Sequence, residues 1–299
     1  MRRMSKFERS QAISGVLFAL PYIIGLMLFT AYPLVASMYY SLCRFDVLTP
    51  PSWIGLGNYI DMFTGADEYF WQSMYNTVYY AALSVPLTIL TGVGIAMLLN
   101  MKVKGMAVYR TIFFLPVLVP IVASSILWLW ILNPQYGLIN NLLYKLFSIE
   151  GPGWIADERW SKFSLVLMSV WAAGQSVVIY LAGLQDIPEQ LYEAAELDGA
   201  STLGRIRHIT IPMLTPVIFF NLVMGVINSL QVFTQAYIMT DGGPANSTLF
   251  YMLHLYRNAF GYLNMGYACA LAWFLFVVII AITLIVFKTS GRWVFYSGG

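Results

Sequence analysis

The chain has 299 residues, of which 59% are hydrophobic and only 10% charged, against about 25% charged in a soluble domain. With 16 Lys and Arg against 14 Asp and Glu the formal net charge is +2, and mean hydropathy is +0.71. These values exclude a soluble globular enzyme, a disordered chain and a nucleic-acid binder, and two cysteines, Cys43 and Cys269, make no disulfide or zinc framework.

All charged residues lie outside six intervals, bounded by Arg9 and Arg44, Glu68 and Lys102, Arg110 and Lys145, Lys162 and Asp186, Arg207 and Asp241, and Arg257 and Lys288. About 20 apolar residues cross about 30 Å of hydrocarbon. The intervals therefore predict membrane helices over 14–40, 75–99, 111–132, 163–184, 213–235 and 266–287 of an all-α integral membrane protein surrounded by lipid. They lack the alternating polarity of barrel strands. The first is too long for the core of a cleaved signal, about 7–15 residues, and reads as a retained signal-anchor. Between the first two spans, residues 43–74 read as a modest loop.

Orientation follows from Lys and Arg. With the N-terminus inside, Arg2, Arg3, Lys6, Arg9, Lys102, Lys104, Arg110, Arg205, Arg207, Lys288 and Arg292 fall on the inner side. Arg44, Lys145, Arg159, Lys162 and Arg257 fall outside. Both termini are expected in the cytoplasm, together with the segment 186–211. Pro86, Pro116, Pro120 and Pro216 interrupt spans and can kink them. They are read as ordinary tolerance of proline in membranes, with hinging between two access states as the alternative.

The spans contain no Asp, Glu, Lys, Arg or His, which speaks against a proton-coupled carrier or an intramembrane protease. His208 and His254 read as solvated loop residues, and neither an H-E-x-x-H nor a P-loop motif occurs. Neutral polar groups do occur: Asn76, Gln175, Asn221, Asn228, Ser229, Gln231 and Gln235. They either bond between helices or line a path for a hydroxyl-rich solute. Amides pair with sugar hydroxyls and rings stack on apolar sugar faces, so Trp128, Trp130 and Trp171 are candidates for stacking.

The acidic stretch from Asp186 to Ala200 is out of place in so apolar a chain. Asp186 and Glu189 have capping-box spacing, Pro188 suits a first helical turn, and Gly199 is a stop. The expected helix is about 11 residues or 16 Å long. Ala194 and Ala195 permit close approach beside Glu193 and Glu196, which suits docking to a cytoplasmic protein. A helix lying on lipid is the alternative, disfavoured by its acidity against an anionic leaflet. Pro212 is expected to open the fifth span.

Glu193-Ala194-Ala195, three residues, Gly199, nine residues and Ile209-Thr210-Ile211-Pro212 resemble the EAA motif of binding-protein-dependent ABC importer permeases. The run Tyr180 to Ser201, Thr240-Asp241-Gly242-Gly243-Pro244 and Gly266-Tyr267-Ala268 resemble the carbohydrate branch, in particular the maltose-type first permease subunit. Its long extracellular insert is absent here. The resemblance implies a transmembrane domain over 11–290, with a coupling loop 186–211 and cytoplasmic tails 1–10 and 291–299, in a bacterial or archaeal inner membrane. It implies a second homologous permease subunit, two copies of a P-loop ATPase that bind ATP and Mg, and an extracytoplasmic sugar-binding protein. This chain would itself be neither an enzyme nor a cofactor carrier. Glu193 would contact the ATPase, Ala194 and Ala195 would pack in its groove, Gly199 would allow the turn, and Asp198, Ile209 and Pro212 would complete the coupling element. Ile206 and Arg207 depart from the aromatic residues many relatives carry. By the same resemblance the substrate path falls on Trp171, Ala172, Gln175, Gly225, Asn228, Ser229 and Val232, with residue types that differ from the maltose pattern. A polyol or glycerol-phosphate-ester importer and a stand-alone channel are the alternatives.

Overall fold

A computed structural model describes residues 6–101 and 103–295. Arg2, Arg3, Lys102 and the last residues of the expected C-terminal tail lie outside the described residues. In chain order the elements are α1 (Lys6–Leu26), α2 (Tyr32–Ser41), β1 (Cys43–Arg44), β2 (Ser52–Trp53), α3 (Gly57–Thr64), α4 (Phe70–Leu99), α5 (Met106–Phe114), α6 (Ile121–Ile131), α7 (Leu138–Phe147), α8 (Glu158–Trp171), α9 (Gly174–Gln185), α10 (Glu189–Leu197), α11 (Thr202–Arg205), α12 (Ile211–Leu230), α13 (Thr234–Met239), α14 (Tyr251–Tyr256) and α15 (Met265–Ser290).

Four helical stretches are long and apolar enough to span a membrane: Ser14–Ser41, Phe70–Leu99, Thr202–Leu230 and Met265–Ser290. Two bent pairs, Met106–Leu118 with Ile121–Ile131 and Glu158–Trp171 with Gly174–Gln185, make six when each is one span. The expected spans are thus found, with three corrections of form. The third bends by 101° and the fourth by 44°. At the third, Pro120 is extended, with ψ 143°, and has no N–H to continue the ladder. The fifth does not begin at Pro212 or run to 235. It is helical from Thr202, through a π-helical segment Ile206–Thr210, and stops at Leu230. In that segment the Ile211 N–H reaches back to the Ile206 carbonyl, so Pro212 is accommodated inside a helix already under way.

Two compact units divide the chain. The first comprises residues up to Asp67 together with Leu255–Leu275. Its loop is more ordered than expected. β1 and β2 pair antiparallel, Cys43 with Trp53 and Arg44 with Ser52. Asn58 of α3 donates to the carbonyls of Ser41 and Cys43 at 2.8 and 2.9 Å. Tyr267 donates to Asp67 at 2.6 Å, and Trp273 to Ser37 at 3.2 Å.

The second unit holds Glu68–His254 and the chain from Phe276 onward. Two apolar clusters organise it. One joins Tyr80, Trp128, Leu165, Val232 and Phe250, and the other Ala96, Tyr180, Leu184, Ile187 and Leu214. The segment after α13, which carries Thr240 to Pro244, is tied to α4 and α8 by side chains. Asn76 donates to the carbonyls of Asn246 and Leu249 at 2.9 and 3.1 Å, and Ser161 meets Ser247 at 2.8 Å. Asn76 therefore bonds between elements, the first of the two roles open to such amides. Phe295 donates its N–H to Thr215 at 2.8 Å, which holds the end of the described chain on α12.

Gly266 marks the tightest join of the first unit. Its N–H donates to the Phe45 carbonyl at 2.9 Å, and a Cβ there would run into the Cys43 carbonyl oxygen. Gly266→Ala should destabilise the protein by about 1–3 kcal/mol. A lower Tm in detergent, with insertion unchanged, checks this; an unaltered Tm would mean that the hairpin yields freely.

Candidate functional site

A cavity of about 660 Å³ opens within the second unit. Three helix interruptions border it: Ile121 begins α6 after the third span's bend, Ala172 sits at the α8–α9 break, and Gln231, Val232 and Phe233 form the break between α12 and α13. The other wall is α4, which crosses unbroken and presents Tyr80, Ser84 and Thr88 at helical spacing. Irregular backbone at membrane depth persists where it lines a cavity or is buried in protein, because there its polar groups find partners.

Among the described residues, no charged side chain and no His lines this cavity. Its polar groups are amides and hydroxyls. Gln175, Asn228 and Gln231 are exposed, and among the described residues their side chains make no hydrogen bond within the chain. Asn221 and Ser229 spend one group each on their own helix, at 2.9 Å to Val217 and 3.0 Å to Val226. Gly225 brings α12 close to α4, where an added Cβ would lie 3.4 Å from Val85.

Six of the seven path positions meet here: Ala172, Gln175, Gly225, Asn228, Ser229 and Val232. Trp171 does not. It packs edge-on against Trp128 at 5.9 Å and stays 39% exposed, outside the lining. The 44° bend after it turns α9 away from the line of α8, which a straight helix would not anticipate.

Tyr180 was not among the expected path residues. It is fully buried, lines the cavity, and its hydroxyl has no partner among the described residues. Gly92 gives its ring room, since a Cβ at that position would come within 2.9 Å of it. An amphiphilic residue amid an apolar run carries no sequence signal for this; only the missing partner does.

The acidic helix is α10, nine residues rather than about 11. Asp186 is the C-cap of α9 and not a cap of α10, whose N-cap is Pro188 with no capping side chain. The stop at Gly199 is as expected: φ is +74°, its N–H reaches Glu196, and the Ala200 N–H reaches Ala195 at 2.9 Å. Glu193, Ala194 and Asp198 are exposed, Ala195 half-buried, and Leu197 is 90% exposed. Glu196 pairs with Arg205 at 3.4 Å on the surface. Tyr192 meets Thr210 at 3.0 Å, and Tyr192 and Ile209 pack against the cluster that contains Tyr180. Pro212 is half-buried one turn further on.

The histidines are not loop residues. His208 lies in the π-helical segment with Nδ1 3.0 Å from the Gly204 carbonyl. His254 is buried in α14 against Tyr69, with ring centroids 6.5 Å apart.

Residues 70–295 match the family described as the binding-protein-dependent transport system inner membrane component. The chain is 44% identical over 298 residues to the probable ABC transporter permease protein YesP of Bacillus subtilis (strain 168), covering 99% of this chain and 96% of that one. It is 34% identical to the lactose transport system permease protein LacF of Rhizobium radiobacter, covering 96% and 97%. Its fold is that of a chain in the crystal structure of a bacterial alginate ABC transporter in complex with an alginate pentasaccharide-bound periplasmic protein. The TM-score is 0.83 at 24% identity, over 98% of each chain. A multi-pass helical chain with a charge-free cavity and these relatives belongs to the inner membrane components of binding-protein-dependent ABC transport systems.

Proposed function

We propose that this permease forms half of the path by which a carbohydrate enters the cell. The observation that carries this is the cavity of amides and hydroxyls at the meeting of three broken helices, with no charged side chain in its lining. Amides and hydroxyls donate and accept equally, as a sugar does, whereas a charge would be costly at that depth. The relative that transports lactose supports the same class. A glycerol-phosphate ester fits less well, because phosphate calls for Arg or Lys and this half of the path offers neither.

In this reading the domain spans 11–290, both termini and the loop 186–211 face the cytoplasm, and a second homologous permease supplies the other half. An extracytoplasmic binding protein delivers the sugar. Two P-loop ATPases hold ATP and Mg. Helix α10 docks on one of them through Glu193, Ala194, Ala195 and Asp198, with the turn at Gly199 and the base at Ile209 and Pro212. The exposed Leu197 and carboxylates support this, since an uncovered leucine beside acids suits a protein groove better than an anionic lipid surface. A stand-alone channel would leave that helix without a purpose.

Isolation of the chain in mild detergent with everything that stays bound tests the assembly. A P-loop ATPase and a second six-span chain are expected; a homo-oligomer without an ATPase would overturn the reading. Glu193→Arg should lower the co-purified ATPase about tenfold, or about 1.4 kcal/mol, with normal membrane insertion. Undiminished co-purification would remove Glu193 from the contact.

Gln175→Ala and Asn228→Ala should each slow uptake of the sugar delivered by the binding protein about fivefold to tenfold, from a lost hydrogen bond of about 1 kcal/mol. Full uptake in both would take them off the path. Tyr180→Phe removes a buried hydroxyl without a partner. It should leave Tm equal or higher; a lower Tm would show that the hydroxyl is bonded within the protein.

A further inference from the structure

A second recess lies apart from the sugar cavity. It measures about 420 Å³ and is lined by Leu99, Phe113, Phe114, Val177, Val178 and Leu181, with Gly174 and Thr111. Among the described residues its single charged one is Arg110. The recess exists because the third span is bent: α5 leaves the line of α6 by 101° and leans on α9. Gly174 allows this, since a Cβ there would press on the Phe113 carbonyl at 2.8 Å and on Val117 at 2.7 Å. Phe113 is level with Gly174, so Arg110 stands about one turn away along α5.

Arg110 is not loosely placed. It donates to the carbonyl of Leu99 at 3.2 Å, the last helical residue of α4, where the helix end is electronegative. A guanidinium carries five N–H donors in a fork that matches phosphate oxygens, so this one bond leaves most of them for a ligand. Lys104, also exposed, precedes α5 by two residues. Arg110 bounds a charge-free interval, so the cation sits where a hydrocarbon span meets its headgroup layer. The volume lies in the range of about 300–1,000 Å³ of sites that enclose small molecules.

We infer that this recess binds one anionic glycerophospholipid, with its phosphate on Arg110 and an acyl chain between α5 and α9. The apolar lining takes the chain, and the lone arginine selects the head by charge. Only its assignment to the inner leaflet rests on the proposed orientation; the binding does not. Since α9 leads into α10, the lipid would touch the helix that links cavity and acidic helix.

The test needs no transport. The full chain, purified and stripped of lipid in mild detergent, is mixed with phosphatidylglycerol or phosphatidylcholine of the same acyl chains, and bound lipid is counted by native mass spectrometry. Phosphatidylglycerol should be retained about fivefold more, the scale of one arginine at an anionic headgroup. Arg110→Gln should abolish that preference. Val178→Trp, at a side chain 47% exposed, should fill the recess and reduce retention of both lipids. Equal retention by the unaltered chain, or a preference that survives Arg110→Gln, would overturn the inference. So would lipid release on addition of the second permease subunit, which would mark the recess as a protein interface. Failure of the sugar reading leaves each of these results unaffected.

Discussion

Inside hydrocarbon a backbone N–H or C=O without a partner costs several kcal/mol, and every feature of this permease follows from where that cost is met or avoided. α4 avoids it over 30 residues as one helix, despite Pro86 within. The other walls of the cavity do not. The third, fourth and fifth spans each break beside it, at Pro120, Ala172 and Gln231. In the proposed reading the same breaks shape the solute path, since an uninterrupted helix spends its backbone groups on itself and presents none to a solute. The cavity is thus the place where irregular backbone is tolerated and where it is useful.

From the cavity to the acidic helix runs a continuous packed route. Tyr180 lines the cavity and belongs to the same cluster as Leu184, Ile187 and Leu214; Tyr192 of α10 and Ile209 pack against that cluster. Gly183 keeps it tight, since a Cβ there would come within 2.7 Å of Val217 on α12. Interiors packed in this way transmit displacement instead of absorbing it. A tilt of α10 therefore acts on α9 and α12 together, the two helices that bring Gln175, Asn228 and Ser229 to the cavity. In the proposed function α10 is the helix that docks on the ATPase.

How much of this the sequence contained depends on whether a pattern or a path of backbone was at issue. Charge-free intervals located the four long spans and both bent pairs, because the cost of burying charge is large and local. The Glu193 to Pro212 spacing located the acidic element, and Gly199 its end. What escaped was curvature and continuation. The π-helical segment Ile206–Thr210 is invisible to a scan that expects Pro212 to start a helix, and the bend after Trp171 has no proline to announce it. The bend lies between Trp171 and Gln175, and of the two only Gln175 lines the cavity. The hairpin at Cys43–Trp53 rests on two residue pairs, too short a period to register. Tyr180 escaped for a different reason: composition shows that a hydroxyl exists, and only the fold shows that nothing among the described residues satisfies it.

Neutral polar groups also suit what a path must do, as distinct from what a binding site must do. A carrier half that held its cargo through a buried ion pair would need several kcal/mol of desolvation returned at each cycle, and would release slowly. Each neutral hydrogen bond contributes about 0.5–1.5 kcal/mol net, since water makes a nearly equal offer on either side. In the proposed reading Gln175, Asn228 and Gln231 together orient a hydroxyl-rich solute, and each lets go at small cost. In the proposed reading selectivity comes from the number and placement of such groups, so the second permease subunit that supplies the facing half shares in deciding which carbohydrate passes.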